Sequence, residues 1–119
     1  MPSRPVAIVR TGPAAKAGLL AFTRAAAVEL AADNILVNAV CPGLIYTPLY
    51  DALADSVMAL MGIPSREEVD RFLRQFNLTK RIGQPEEVAP LVVFLASAQA
   101  SYITGSISDV DGGYAKSVI

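Results

Sequence analysis

Few residues in this 119-residue chain are placed to do chemistry. It holds one cysteine and no histidine, which removes a disulfide framework and leaves zinc without its usual ligands. Attention falls on Ile35–Pro48, ILVNAVCPGLIYTP. The run Ile35–Cys41 is apolar except for Asn38 and stops at Pro42-Gly43. An Ile/Val-rich run of that length ended by a breaker pair predicts a fully buried parallel strand. Proline cannot continue the ladder and glycine admits a close backbone, so the chain turns there. In open α/β sheets, ligands bind just beyond the carboxyl ends of strands. Pro42–Pro48 is therefore the first place to look for a site.

Other chemistry-bearing residues have plainer readings. Asn38 in a buried strand is better explained by satisfying backbone groups than by touching a ligand. Cys41 reads as a small core residue, since free cysteine commonly buries and no histidine or second cysteine attends it. Thr47 before Pro48 either ends a turn or faces a ligand. Tyr46 and Tyr50 are read as contact residues rather than proton donors. Asp109 and Asp111 have no companions at metal-ligand spacing, so turn chemistry is their default.

The elements that must position the strand follow the usual start and stop signals. Val6–Val9 is a short apolar run that can form a strand, ended by Thr11-Gly12-Pro13. A helix is predicted over Ala14–Ala32, with Leu19, Leu20, Phe22, Ala26, Ala27 and Leu30 on one apolar face and Lys16, Thr23 and Arg24 elsewhere. Asp33-Asn34 closes it. Leu49–Met61 forms a second helix, offering Leu53, Met58 and Leu60 for contact, and Gly62-Ile63-Pro64 interrupts it. Ser65 with Glu68 has capping-box spacing and starts a helix over about 66–76. Pro85-Glu86-Glu87 opens another that runs to about Ala98, with Val88, Leu91, Val92 and Leu95 inward. Ser106–Val110 makes a last strand and Asp111-Gly112-Gly113 turns it. The order indicates an α/β fold with parallel pairing.

Composition bounds the rest. The length allows one domain with a modest core. Ten basic and eleven acidic residues leave a net charge of −1, so no electrostatic footprint for nucleic acid or an anionic membrane exists. Apolar residues make up 53%, yet no run approaches the roughly 18 residues that span a bilayer. The first residues lack the charged-then-apolar order of a secretory signal, so a cytoplasmic location is expected.

Four segments taken together carry a resemblance. Lys16-Ala17-Gly18-Leu19-Leu20, then ILVNAVCPGLIYTP, then RIGQPEEVAPLVVFLAS, then SYITGSISDVDGG stand in an order and spacing that resemble the C-terminal half of a short-chain dehydrogenase/reductase, over about residues 14–114. The resemblance implies the C-terminal part of a Rossmann-like, doubly wound parallel sheet, its last two strands with flanking helices. It implies NAD or NADP as cofactor and hydride transfer with a small-molecule carbonyl or alcohol, in a homo-oligomer without nucleic acid or membrane. By the same resemblance, Lys16 matches the lysine of the Tyr-x-x-x-Lys motif, which bonds the nicotinamide ribose and lowers the tyrosine pKa. The backbone of Pro42, Gly43 and Ile45 lies where family members meet the nicotinamide, with Ile45 bonding its carboxamide. Thr47 matches a hydroxyl that contacts the carboxamide or pyrophosphate. Tyr46–Lys80 corresponds to the variable lid over the substrate, and Asp111-Gly112-Gly113 to a structural turn.

The departures are as informative. Four residues before Lys16 the family places its tyrosine, and here stands Gly12. Ser3 has no context of a catalytic serine. The Thr-Gly-x-x-x-Gly-x-Gly turn that seats a pyrophosphate on a helix N-terminus is not among these residues, nor is the Asn-Asn-Ala-Gly segment. The expected organisation is a divergent segment 1–12 and a partial Rossmann domain 13–119 with a lid over 46–80. Lys16 without its tyrosine reads by itself as a solvated lysine. One edge of Ile35–Cys41 is expected to lack a partner, which is an aggregation hazard, and the chain alone is expected to be poorly stable or to self-associate. Three functions stay open: part of an NAD(P)-dependent alcohol dehydrogenase or ketone reductase, a non-catalytic fragment, or an interaction module that joins itself or a full-length homologue. Substrate and the choice of NAD or NADP are not readable.

Overall fold

A left-handed stop converts the first long helix into the central strand. Helix α1 covers Pro13–Leu30, a single 3-10 turn follows over Ala31–Asp33, and Asn34 takes φ 59°, a conformation asparagine tolerates better than most residues. Ile35 N then donates back to Leu30 O at 3.2 Å. These are features of a computed structural model that describes residues 6–8 and 13–114, with side chains from residue 15 onward.

The sheet has three strands in the order β1 (Val6–Ile8), β2 (Asn38–Pro42), β3 (Ile107–Val110). β1 runs parallel to β2, with Val6 opposite Asn38 and Ile8 opposite Val40. Ala39 N donates to Ser106 O and Gly43 N to Val110 O. Both sides advance together, so β3 is parallel as well. The two strands expected from the resemblance are thus joined by a third. β2 lies in the middle, and the edge expected to be bare is paired with β1.

The structure also shortens β2 at its start. Residues 35–37 are outside the ladder because their neighbours are irregular: Val37 N donates to the Thr104 hydroxyl, and Gly105 N donates to Val37 O. Val37 through Cys41 are nonetheless all buried. Asn38 does what its position demands. Its Nδ2 donates to Ile103 O, while Oδ1 accepts from Ser106 N and Ser106 Oγ. A buried amide with that many partners is a tie between strands.

The described residues divide into two compact parts. In the part holding residues up to Pro42 with Val88–Asp109, α1 buries Thr23 and Ala27, and Ala27 lies against Gly105. Here the expected apolar face is corrected. Phe22 is 66% exposed, and Thr23 is fully buried because its hydroxyl donates to Leu19 O and leaves no unpaired polar atom. The rest of the expected face stands, with Ala27 buried and Leu19, Leu20, Ala26 and Leu30 half-buried, and Thr23 takes the inward place expected of Phe22.

In the part holding Gly43–Glu87 with Val110 onward, two helices pack on each other. α2 (Pro48–Met61) is capped by the Thr47 hydroxyl, which accepts from Tyr50 N, and α3 (Arg66–Arg74) by Ser65, which accepts from Glu68 N. Their core is Tyr50, Ala54, Val69, Leu73 and Ile82, flanked by Val57, Met58 and Phe72. Leu53 and Leu60, expected inside, are exposed, Leu60 at 86%. They lie roughly 100° around α2 from the face centred on Tyr50 and Ala54. α4 covers Pro85–Leu95 and ends three residues before the predicted Ala98. Ser97 leaves the helical region to begin a 3-10 turn over Ala98–Ala100. Leu95 is the inward residue that buries fully.

Gly43 and Gly18 give opposite expectations for the same substitution. A Cβ on Gly43 would stand 2.5 Å from Asp111 Cβ and 2.7 Å from Asp111 Cα, whereas one on Gly18 meets nothing within 4 Å. Gly43→Ala should destabilise by about 1–3 kcal/mol because backbone must move. Gly18→Ala, in the interior of α1, should stabilise by roughly 0.5–1 kcal/mol. Urea unfolding of the two variants beside the parent checks both signs.

Candidate functional site

The site region is assembled from the end of β2 onward. Pro42 closes the strand, since it has no N–H to carry the ladder further. At Gly43 the backbone passes against Asp111 with room for a hydrogen only. Two residues on, Ile45 forms an isolated parallel bridge with Gly83. That bridge uses the carbonyl of Leu44, which accepts from Gly83 N, and the N–H of Tyr46, which donates to Gly83 O. In this pattern the intervening residue directs its own N–H and C=O to the other side. Ile45 therefore turns its main-chain groups away from Gly83 while its side chain is buried. Gly83 lies close under that side chain: a Cβ on it would stand 2.8 Å from Ile45 Cδ1, which would have to turn aside.

The segment carrying Gly83 is itself tied down. Arg81 binds Glu87 with two parallel bonds of 2.8 and 2.6 Å, and Glu87 Oε2 also accepts from Gln84 N at 2.8 Å. The Arg81 guanidinium and the Gln84 N–H hold the Glu87 carboxyl down at about 2. The dipole-favoured acids expected at this helix start include one that acts as a clamp.

Thr47 spends one lone pair on the α2 cap and keeps its hydroxyl proton for another partner. Lys16 stands half-buried in the first turns of α1, at the head of the stripe that continues through Thr23 and Ala27. It is less solvated than the reading of the residue alone had it. Only residues 9–12 separate β1 from α1, so the start of α1 follows the carboxyl end of a strand parallel to β2. Lys16 and Pro42 thus belong to the same edge of the sheet. Gly43, Ile45 and Thr47 form one continuous stretch beyond Pro42. Ser3 and Gly12 lie outside the described residues.

A second cluster was not legible beforehand. Asp70 on α3 accepts the Tyr50 phenol at 2.6 Å and Arg66 Nε at 3.2 Å on Oδ1, and the Tyr46 phenol at 3.3 Å on Oδ2. Arg66 reaches Asp51 at 2.6 Å with its NH2 group, and its guanidinium stands 5.0 Å from the Tyr50 ring centroid. The two tyrosine rings meet edge to face at 5.1 Å. Burial, and then the neighbouring Asp70 carboxylate, push both phenols above their ordinary value, Tyr50 furthest. Groups that hold their protons so firmly are poor acids near neutrality. Contact, as read from the sequence, is what these tyrosines make.

Comparison with known proteins fits this geometry. The family profile described as enoyl-(acyl carrier protein) reductase matches residues 11–115. The chain belongs to the short-chain dehydrogenase/reductase family. An acetoacetyl-CoA reductase of Shinella zoogloeoides is 44% identical over 100 residues, covering 84% of this chain and 37% of that protein. A short-chain dehydrogenase family protein from Francisella tularensis superposes with a TM-score of 0.80 at 37% identity, over 85% of this chain and 41% of that one. An actinorhodin polyketide ketoreductase with NADPH gives 0.85 at 31% identity, over 95% and 47%. The chain therefore spans less than half the length of these relatives, as a part of a short-chain dehydrogenase/reductase. No helix of the described residues is long and apolar enough to cross a membrane, and no cluster of metal-ligating residues occurs among them.

Within this family member, Gly83 and Asp70 are the residues that sequence reading passed over. Gly83 carries no local signal for this role, because its partner Ile45 is 38 positions away. Asp70 had a local cue in its i,i+4 spacing from Arg66, but nothing adjacent to it points to the tyrosines.

The clamp at Glu87 has a definite pH dependence. Its folded-state pKa, about 2, lies below its ordinary 4.5, so the clamp's contribution is complete above roughly pH 5 and is lost as pH falls towards 2. The Glu87 carboxyl carbon should titrate near 2 by NMR, with the Gln84 amide shift following it. In Glu87→Gln that amide should no longer respond to acid.

Proposed function

We propose that these residues form the nicotinamide-side and lid part of an NAD(P)-dependent oxidoreductase site that passes hydride between the cofactor and the carbonyl carbon of a small molecule. The observation that carries this reading is Ile45. Just beyond the carboxyl end of the central strand, its N–H and C=O are directed away from the Gly83 bridge, where a carboxamide would find both an acceptor and a donor. The Thr47 hydroxyl retains a proton to donate alongside. Lys16, which matches the lysine of the family's Tyr-x-x-x-Lys motif, supplies a cation for the ribose hydroxyls. The bound nicotinamide supplies the hydride. The chain's own work is to fix its ring with the backbone of Pro42, Gly43 and Ile45 and to cover the substrate with residues 46–80. Ketone reduction, the reaction for which the Shinella relative is named, is the reaction type this arrangement fits.

Taken alone, the 119 residues should not transfer hydride. The position of the proton-moving tyrosine holds Gly12, and no glycine-rich turn is present to seat a pyrophosphate. We therefore expect the chain alone to show no saturable binding of NADH or NADPH at millimolar concentration, read by nicotinamide fluorescence. Joined behind the N-terminal portion of the Shinella reductase, through that protein's tyrosine, it should regain ketone-dependent NAD(P)H oxidation. Micromolar binding by the chain alone would refute its incompetence, and a soluble hybrid that binds cofactor without turnover would refute the site reading.

A second reading has its own observation. Phe22 and Val28 stand 66% and 79% exposed on α1, two apolar side chains turned outward roughly 120° apart around the helix, and covering them suits pairing with another copy of this helix or a longer homologue. Concentration-dependent self-association in solution, reduced by Phe22→Glu with Val28→Glu, supports it. A monodisperse monomer contradicts it.

A further inference from the structure

Asp70 has a feature that a merely decorative surface acid lacks: both carboxylate oxygens are occupied by groups from three other positions in the chain. Oδ1 takes the Tyr50 phenol and Arg66 Nε, and Oδ2 takes the Tyr46 phenol. Tyr50 is 3% exposed and belongs to the core between α2 and α3, so its place is set by packing. Tyr46 is different. It is 36% exposed, precedes α2, and lies outside every helix and strand. Its ring is held by an edge-to-face contact with Tyr50 and by the bond to Asp70, 24 positions later. We infer that Asp70 is a positioning residue for the substrate side of the site, fixing the Tyr46 ring one residue beyond Ile45 by engaging its hydroxyl.

The inference rests on the reading of Ile45 as nicotinamide-side backbone. If that backbone holds the reacting end of the cofactor, the next side chain along meets what reacts with it. With its hydroxyl turned to Asp70, Tyr46 presents ring rather than phenol. It then forms an apolar wall for the group flanking the substrate carbonyl and donates no proton to the carbonyl oxygen. Without Asp70 the ring keeps only its edge-to-face contact with Tyr50, and the hydroxyl needs another partner or water. The charged groups facing the cluster are Asp51 from α2, and Arg66 and Arg74 from α3. Arg66 balances Asp70 and Asp51 together, so removing the Asp70 charge leaves Arg66 its bond to Asp51.

Two readouts test this. The chain has no tryptophan and four tyrosines, so its emission comes from phenols, and a phenol bonded to a carboxylate is quenched. Asp70→Asn in the 119-residue chain should raise tyrosine emission. The rise should be smaller in a Tyr46→Phe background and partly reversed by Asp70→Glu. Unchanged emission overturns the inference, because the bonds are then absent in solution. In the hybrid reductase described above, Asp70→Asn should raise KM for the ketone about fivefold with kcat within about twofold, as expected when a hydrogen bond that orients a binding wall is lost. Tyr46→Phe, which removes only the hydroxyl from a partly exposed side chain and leaves the α3 core intact, should give a KM change of the same sign. A rise in emission with KM and kcat both unchanged overturns the positioning role and leaves a purely structural clamp. Absence of turnover in a cofactor-binding hybrid with the parent sequence overturns the site reading, and the positioning role with it, whatever the emission shows.

Discussion

The loop beyond the central strand depends on the approach of two backbones at Gly43 and Asp111. Gly43 N reaches Val110 O at 3.0 Å, and the next residue on that side, Asp111, fills the space where a side chain would stand. β2 and β3 finish at the same level there, and the turn Asp111-Gly112-Gly113 follows at once. Asp111 Oδ1 accepts from Gly113 N, while Gly112 at φ 58° and Gly113 at φ 85° take conformations that strain other residues. Gly112 O in turn accepts from Thr79 N. A strand end, a terminal turn and the segment leading to Gly83 are thereby linked by main-chain atoms. The orientation of Ile45 is a downstream result of that linkage.

The local chemistry of the chain was legible because its causes are local. Ser65 caps the helix it precedes, Asn34 takes the left-handed stop, and Pro85 opens the last helix, each within four residues of its signal. The cap that Thr47 gives α2 was not read. What failed was the choice of single side chains. Phe22 outranks Thr23 on any hydrophobic scale, yet Thr23 is inside because a helix lets its hydroxyl donate to the carbonyl one turn back. Leu53 and Leu60 were read as contact residues, whereas α2 packs through Tyr50 and Ala54. Geometry decided otherwise, since α3 packs at close range on the small Ala54. The bare edge expected beside β2 was an inference from family organisation, and the short run at Val6–Ile8 takes that place. Of the site, the stretch Pro42–Thr47 was readable from a breaker pair after an apolar run. Gly83 and Asp70 were not, because each acts on partners tens of residues distant.

The charge pairs between residues 51 and 87 differ in what they accomplish. Arg71 with Glu67 is an exposed i,i+4 pair at 3.7 Å and belongs to the class that adds little to stability. Arg81 with Glu87 is also exposed, but it is bidentate and shares its carboxylate with Gln84 N, so it fixes a direction of the chain rather than a depth of burial. Asp70 is the most constrained of the set, since two neutral phenols and a cation converge on it. Placement of loops by such fixed polar contacts accords with a fold whose working residues sit outside its regular elements.

The tie through Asn38 bears on how the chain comes to be made. Its partners Ile103 and Ser106 are 65 and 68 positions later, so β2 leaves the ribosome well before the segment that closes over its second flank. At ordinary elongation rates of about 5–20 residues per second, that interval is roughly 3–14 s. During it, an almost wholly apolar strand is open along one side to any other strand in reach. A single polar amide in the middle of that strand makes it a poor mate for a hydrophobic stranger, because the amide would be buried without partners. Asn38 thus acts twice over the life of the molecule, first as a deterrent to premature pairing and then as the latch that admits the right neighbour.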